Sequence, residues 1–213
     1  WISSFLLDGA HAPVSSLAAR LPSVLSTFGV LIILFFGVDY VMGEKEKSGR
    51  NWIPVFAFCA GTFPLLTSAG VVFDPLQTLM LMPALLIPTH FFYKEEPIKL
   101  YEWILWTLSL FLSCAVKGLN GIIIPSFAFA LHLLFKIKDW GFASIFKIGL
   151  KYLAFALIPA SILIAAFYYL LDQKIGSAFT HEFLWVQHFQ RSQNAMEDHA
   201  GSLLYHPLIL FLG

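Results

Sequence analysis

The sequence predicts an all-α, polytopic transmembrane bundle with about six complete spans and the start of a seventh. Of its 213 residues, 58% are hydrophobic and only 12% are charged, whereas soluble domains carry about 25% charged residues. Mean hydropathy is +0.76. The apolar residues form runs of roughly 20, the length that a helix needs to cross a bilayer. A chain with so few charges has too little polar surface to cover a soluble globule.

Each predicted span is an apolar run bounded by polar or turn-forming residues. The runs are 21–42, 52–73, 75–93, 101–116, 119–135 and 148–171, and a seventh begins at 203. Pro22 and Pro75 suit the first turn of a helix, where a missing N–H is harmless. Asp74 can cap the helix that Pro75 opens. Residues 136–147 are predicted to be a basic, amphipathic connector.

The chain is interpreted as one transmembrane domain with polar loops on both sides. Residues 1–20 end an outer loop, 21–171 hold six spans, 172–202 form a second outer loop, and 203–213 begin another span. The chain starts at Trp1 without a methionine and ends inside an apolar run. We therefore expect it to be an internal piece of a longer protein.

Basic residues predict the orientation, because short cytoplasmic loops carry an excess of lysine and arginine. Alternating spans put nine basic residues on one side: Lys45, Lys47, Arg50, Lys94, Lys99, Lys136, Lys138, Lys147 and Lys151. The other side holds four: Arg20, Lys117, Lys174 and Arg191. We expect the side with nine to be cytoplasmic. The net charge of zero gives no indication of a nucleic-acid partner.

Isolated charges at the predicted outer face are the candidates for chemistry. Asp74 is either a helix cap or a carboxylate in a cavity at the membrane face. Lys117 ends an apolar run, where it either snorkels to the interface or presents a cation to an anionic headgroup. Arg191 lies in an aromatic-rich loop and could hold a lipid phosphate through paired hydrogen bonds. His188 could share that role or act as an acid or base.

The sequence does not predict a metal centre. His181, His188 and His199 have no spacing typical of a metal site, so whether a divalent ion is needed stays open. Cys59 and Cys114 lie in apolar runs and are interpreted as small hydrophobes. No phosphate-binding glycine loop and no hydrolase or protease motif occurs in the sequence.

Several short motifs, taken in order, resemble one family of membrane enzymes. They are Trp1-Ile, Asp8-Gly9, Ala19-Arg20-Leu21-Pro22-Ser23, Asp74-Pro-Leu, Lys117-Gly118-Leu-Asn-Gly with Pro125, and Phe189-Gln-Arg191 followed by His199-Ala-Gly and Tyr205. The pattern is similar to that of the integral-membrane glycosyltransferases of the GT-C type. The branch that it resembles comprises the protein-mannosyltransferases and aminoarabinose transferases, which use polyprenyl-phosphate sugars.

The chain departs from the family pattern at three positions. Leu119 replaces the usual proline after Lys117-Gly118, and His206 occupies the second tyrosine position. The usual histidine before the arginine falls on Gln187, beside His188. The family's catalytic carboxylate lies upstream of the matching tryptophan, so the resemblance implies a base that precedes Trp1.

The resemblance implies a transferase in a bacterial inner (plasma) membrane with its active face on the non-cytoplasmic side. A polyprenyl-phosphate sugar is the donor, and a lipid, glycan or protein is the acceptor. The implied phosphate-binding residues are Arg191, Lys117, His188 and Tyr205. Asp74 is assigned a catalytic role, orienting the acceptor or a neighbouring basic residue. The alternatives are a transporter, a lipid flippase or a membrane subunit without activity. Helices interrupted by proline would suit a transporter or a flippase.

Overall fold

The structure, a computed structural model, describes residues 15–43, 51–60, 74–176 and 181. All regular elements in these ranges are helical, and none of the residues described is in a strand. Five helical stretches are long and apolar enough to cross a membrane. The predicted all-α polytopic bundle is therefore confirmed.

From residue 74 onwards, the helices follow one another with short connections. They are α1 (Ser16–Met42), α2 (Trp52–Ala60), α3 (Asp74–Lys94), α4 (Leu100–Lys117), α5 (Asn120–Trp140), α6 (Phe142–Tyr152) and α7 (Ile158–Ile175), with a π-helical turn at Leu153–Leu157 between the last two. Helix α2 is the described part of the predicted second span. The remainder of that span and the predicted seventh span lie outside the described residues.

Helix α1 begins earlier than predicted. The Ser15 hydroxyl accepts a hydrogen bond from the Ala18 N–H at 3.2 Å and so caps a helix that starts at Ser16 rather than at Leu21. Pro22 therefore lies inside the helix instead of in its first turn. The helix ends at Gly43, whose φ of +86° suits glycine, and whose N–H bonds the Asp39 carbonyl at 2.8 Å.

A hydroxyl group from α4 joins the backbone of α3. The Ala84 N–H donates to Ser109 Oγ at 3.1 Å, and Ser109 Oγ donates in turn to the Met80 carbonyl. The Ala84 N–H and the Met80 carbonyl are the groups that pair in a regular α-helix, and the Ser109 hydroxyl contacts both of them beside Pro83. Buried Ser109 thereby satisfies backbone groups and fixes the register of α3 against α4.

Aromatic rings from α4, α5 and α6 pack together in the core of the bundle. The ring centroids of Trp106 and Phe129 lie 5.3 Å apart, and those of Phe129 and Tyr152 lie 4.6 Å apart. These spacings are typical of packed aromatic pairs. Thr107 Oγ1 donates to the Phe155 carbonyl at 2.9 Å, which ties α4 to the π-helical turn.

The predicted connector at 136–147 belongs to two helices. Helix α5 continues through Lys136 to Trp140, and Gly141 ends it with a φ of +75° and an N–H bond to the Ile137 carbonyl at 3.0 Å. Helix α6 then starts at Phe142. The apolar stripe of Phe142, Phe146 and Leu150 is exposed on α6, with Lys147 and Lys151 also exposed. The predicted amphipathic character therefore falls on α6.

Two ends of the bundle can be defined from its antiparallel contacts. At the first, here called the Asp74 end, α3 begins, α4 ends and α5 begins. At the second, the lysine-rich end, the Lys94 ammonium donates to the Met42 carbonyl, and the Lys136 ammonium lies 3.0 Å from Glu95 Oε1. The bundle with these two ends comprises the described residues up to Ala160, and a separate unit begins at Ser161. In that unit, the Phe167 and Tyr168 rings on α7 lie 5.6 Å apart.

Candidate functional site

An ion pair between Asp74 and Lys117 lies at the Asp74 end. The Lys117 ammonium donates a hydrogen bond to Asp74 Oδ1. Asp74 is the first residue of α3 and Lys117 the last of α4. Both positions suit the helix dipoles, because an anion is favoured at a helix N-terminus and a cation at a C-terminus. The two residues are 43 positions apart in the sequence, so the antiparallel packing of α3 and α4 brings them together.

A compact turn fixes the backbone beside Lys117. Gly118 has a φ of +76°, which favours glycine, and its N–H bonds the Cys114 carbonyl at 2.7 Å. The Gly121 N–H bonds the Gly118 carbonyl at 3.0 Å. A Cβ at Gly121 would lie 2.3 Å from the Cys114 nitrogen. Only glycine lets α5 begin so close to the last turn of α4, which ends at Lys117.

The ion pair is partly open to solvent. The side chains of Lys117 and Asp74 are 46% and 33% exposed. Exposed ion pairs of this kind contribute about 0–1 kcal/mol to stability. The ion pair therefore adds little to the stability of the α3–α4 packing, and both side chains can be reached from solvent.

Two buried polar atoms lie one helical turn from this pair. Gln77 follows Asp74 by three residues, and Ser113 precedes Lys117 by four, so each shares a helix face with its charged neighbour. Gln77 Nε2 and Ser113 Oγ are buried and have no hydrogen-bond partner within the described ranges. Leaving such a group unsatisfied costs about 1–3 kcal/mol.

The sequence interpretation missed Gln77 and Ser113. Their helical spacing from Asp74 and Lys117 was the available signal. This spacing alone does not distinguish a glutamine or serine that faces the interior from one at a neutral position. These two residues add polar groups to the interior beneath the pair.

Three other predicted phosphate-binding residues fall outside the part of the chain that the structure describes. Arg191, His188 and Tyr205 lie outside the described residues, and their assignment stays a prediction. In the part of the chain that is described, no group of three histidine, cysteine, aspartate or glutamate side chains could hold a metal ion.

Titratable residues at the lysine-rich end make structural contacts. His90 Nδ1 lies 2.6 Å from the Tyr40 carbonyl oxygen, and the two rings are stacked at 4.3 Å. Glu95 Oε1 accepts hydrogen bonds from Lys136 at 3.0 Å and from the Trp140 indole at 3.3 Å. The hydrogen bond from Lys136 lowers the pKa of the Glu95 carboxyl below its ordinary value of 4.5.

Comparison with known proteins gives two distant similarities. The chain is 26% identical over 208 residues to the undecaprenyl phosphate-alpha-4-amino-4-deoxy-L-arabinose arabinosyl transferase 1 of Sodalis glossinidius (strain morsitans), across 93% of this chain and 34% of that protein. It is 27% identical over 219 residues to an uncharacterized protein of Aquifex aeolicus (strain VF5), across 100% of this chain and 44% of that protein. No protein-family model and no solved structure matches the chain.

These similarities define a class at a coarse level. The chain spans about a third of one relative and less than half of the other. Together with the five apolar spanning helices, the similarity supports an integral membrane protein that is distantly related to a membrane transferase. The resemblance seen in the short motifs points in the same direction.

Proposed function

We propose that the full-length protein is a membrane glycosyltransferase that moves a sugar from a polyprenyl-phosphate donor to an acceptor on the non-cytoplasmic side. The Asp74–Lys117 pair is the observation that carries this proposal, because it puts an accessible ammonium at the end opposite the lysine-rich end. The distant similarity to a transferase named for an undecaprenyl-phosphate-linked sugar supports the same donor class.

In the proposed reaction, an acceptor oxygen attacks the anomeric carbon of the sugar. The bond from that carbon to the phosphate oxygen breaks, and its electron pair leaves with the lipid phosphate. Lys117 and Arg191 hold this phosphate as its negative charge grows. His188 and Tyr205 add hydrogen bonds to it. The acceptor proton passes to a carboxylate upstream of Trp1, which the resemblance implies.

Asp74 acts in this scheme by holding the Lys117 ammonium in position. Its carboxylate repels phosphate, so the donor approaches the ammonium from the side away from Asp74. The same carboxylate can orient an acceptor hydroxyl. Positioning of this kind is sensitive to small displacements, since a shift of about 1 Å can cost roughly 10²-fold in rate.

A transporter is the main alternative class. Transporters place substrate and coupling-ion sites near the bilayer midplane. In α1, α3, α4 and α5, the acidic and basic residues lie towards the helix ends, and Asp74 and Lys117 are terminal residues of their helices. This distribution favours chemistry at the membrane face over passage through the bundle. A non-catalytic subunit is the third possibility, and measured transfer would exclude it.

Transfer of labelled sugar by the full-length protein in proteoliposomes tests the proposal. The donor is undecaprenyl phosphate bearing 4-amino-4-deoxy-L-arabinose, tried beside polyprenyl-phosphate hexoses. Lys117→Ala and Arg191→Ala should each lower turnover by about 10²–10³-fold, as expected when a group that stabilises developing charge is removed. Asp74→Asn should lower it by roughly 10²-fold through misplacement of the ammonium.

Lys138→Ala is the matched control, because Lys138 is an exposed lysine near the opposite end of the bundle. It should leave turnover unchanged. Near-normal turnover in Lys117→Ala would remove Lys117 from the site. Absence of transfer by the wild-type protein from every polyprenyl-phosphate donor would overturn the proposed function.

A further inference from the structure

A cavity of about 420 Å³ lies between α1, α3 and α4 at the lysine-rich end. Apolar side chains form most of its walls, among them Ile32, Phe36, Leu86, Ile87 and Leu105. Its volume falls within the range of small-molecule pockets, roughly 300–1,000 Å³. Walls of this composition offer burial of apolar surface and few hydrogen bonds, so they suit a hydrocarbon.

The length of the cavity matches one leaflet of a bilayer. Its lining follows α1 from Ile32 to Tyr40, a rise of roughly 12 Å. One leaflet contributes about 15 Å of hydrocarbon, half of a core about 30 Å thick. The cavity therefore runs from the lysine-rich end towards the middle of the bundle, as an acyl chain runs from its headgroup.

One end of the cavity is lined by a carboxylate whose two oxygens both accept hydrogen bonds. Glu102 is 4% exposed. Its Oε1 accepts from the Tyr40 hydroxyl at 2.6 Å, and its Oε2 accepts from the Lys99 N–H at 2.7 Å. These bonds hold α1 to the start of α4 and leave the cavity walls beyond them apolar.

A cation lies beside one of the residues that line the cavity. The Lys99 ammonium is 5.9 Å from the centre of the Tyr101 ring, and Tyr101 lines the cavity. Lys99 is exposed, whereas the nearby Lys94 ammonium donates to the Met42 carbonyl. An anionic headgroup beside Lys99 would gain the attraction that lysines provide at a membrane surface.

We propose that this cavity binds one acyl chain of an anionic bilayer phospholipid, whose headgroup contacts Lys99. The site is distinct from the Asp74–Lys117 pair and does not depend on the proposed glycosyl transfer. The lipid is bound from the leaflet at the lysine-rich end and serves as a resident ligand between α1 and α4.

Native mass spectrometry of the full-length protein in detergent tests this site. Phosphatidylglycerol and phosphatidylcholine with identical acyl chains are the two probes. Leu105→Trp fills the cavity from α4, and Ile32→Trp fills it from α1. Each should lower retention of both lipids at least fivefold. Leu108→Trp is the matched control, because Leu108 is exposed on α4 but does not line the cavity, and retention should be unchanged.

The headgroup contact has its own test. Lys99→Gln should bring the preference for phosphatidylglycerol over phosphatidylcholine down from several-fold to near one, while Lys138→Gln should leave the preference intact. Unchanged retention in a folded filling variant would overturn the chain site. If neither filling variant folds, addition of phosphatidylglycerol must raise the thermal midpoint of the wild-type protein more than that of Lys99→Gln. Equal shifts would overturn the proposal.

Discussion

At the scale of single residues, Asp74 and Lys117 could be nominated from the sequence because each stands at the boundary of an apolar run. Their contact could not be predicted, since it depends on the register that Ser109 and the turn at Gly118 impose on α3 and α4. For Gln77 and Ser113, helical spacing puts each on the face of its charged neighbour but does not show that its polar atom is buried. Burial of a polar atom becomes evident only when the packing around it is known.

Glu95 provides a prediction about pH. Its φ of +56° is unusual for a residue other than glycine, and its side chain is held by Lys136 and Trp140. The hydrogen bond from Lys136 lowers the pKa of the Glu95 carboxyl. A lowered pKa in the folded state adds stability above the ordinary value of 4.5, and this contribution is lost as pH falls through the folded pKa.

Glu95→Gln should therefore have a lower thermal midpoint than the wild-type protein at neutral pH. The difference should be small, because the carboxylate is exposed and ion pairs at such positions are weak. It should shrink as the pH is lowered from about 4.5. Thermal unfolding in detergent at a series of pH values measures this difference in thermal midpoint. Glu96→Gln, which replaces an exposed neighbouring carboxylate, is the control. A difference that is constant across pH would contradict this account.

At the scale of the elements, hydropathy located the helices but not their ends. Helix α1 begins before the apolar run, because the Ser15 hydroxyl accepts a hydrogen bond from the Ala18 N–H and so caps the helix at that point. The basic residues from Lys136 onwards predict that the fifth span ends at 135 and that an amphipathic connector follows, yet α5 continues to Trp140 because Gly141 ends it. Capping side chains and glycine conformations therefore determine where these helices end. The mean hydropathy of a sequence window does not detect either feature.

The close approach of α4 and α5 at Gly121 can be tested by substitution. Gly121→Ala puts a methyl group into backbone atoms of Ser113 and Cys114, which cannot rotate away. Overpacking of this kind should cost about 1–3 kcal/mol in the free energy of unfolding. Reversible unfolding of the full-length protein by SDS in mixed micelles measures the change.

Gly149→Ala is the matched control for this change. Gly149 is also helical, but its Cβ would meet only Leu133 Cδ1 at 4.0 Å. Alanine should therefore stabilise the helix by about 0.5–1 kcal/mol, the usual cost of a glycine in a helix interior. Equal effects of the two substitutions would show that α4 and α5 do not approach closely at Gly121.

At the scale of the whole molecule, the all-α membrane class follows from composition together with run length, because apolar runs of about 20 residues suit helices that satisfy their own backbone groups in a bilayer. The separation of charges into two ends was also predictable from alternating spans. The cavity between α1, α3 and α4 was not, since it depends on how three helices pack around Gly37 and Leu86. Local sequence patterns do not predict a cavity of this kind between packed helices.

The central claim is that the Asp74 end binds the phosphate of a polyprenyl-phosphate donor. A polyprenyl-phosphate analogue with a photoreactive group beside its phosphate can be cross-linked to the full-length protein in nanodiscs, and the modified peptides mapped by mass spectrometry. We predict adducts in the first turn of α3 and around Lys117, abolished by excess unlabelled donor. Adducts confined to the lysine-rich end, or unaffected by the competitor, would contradict the claim.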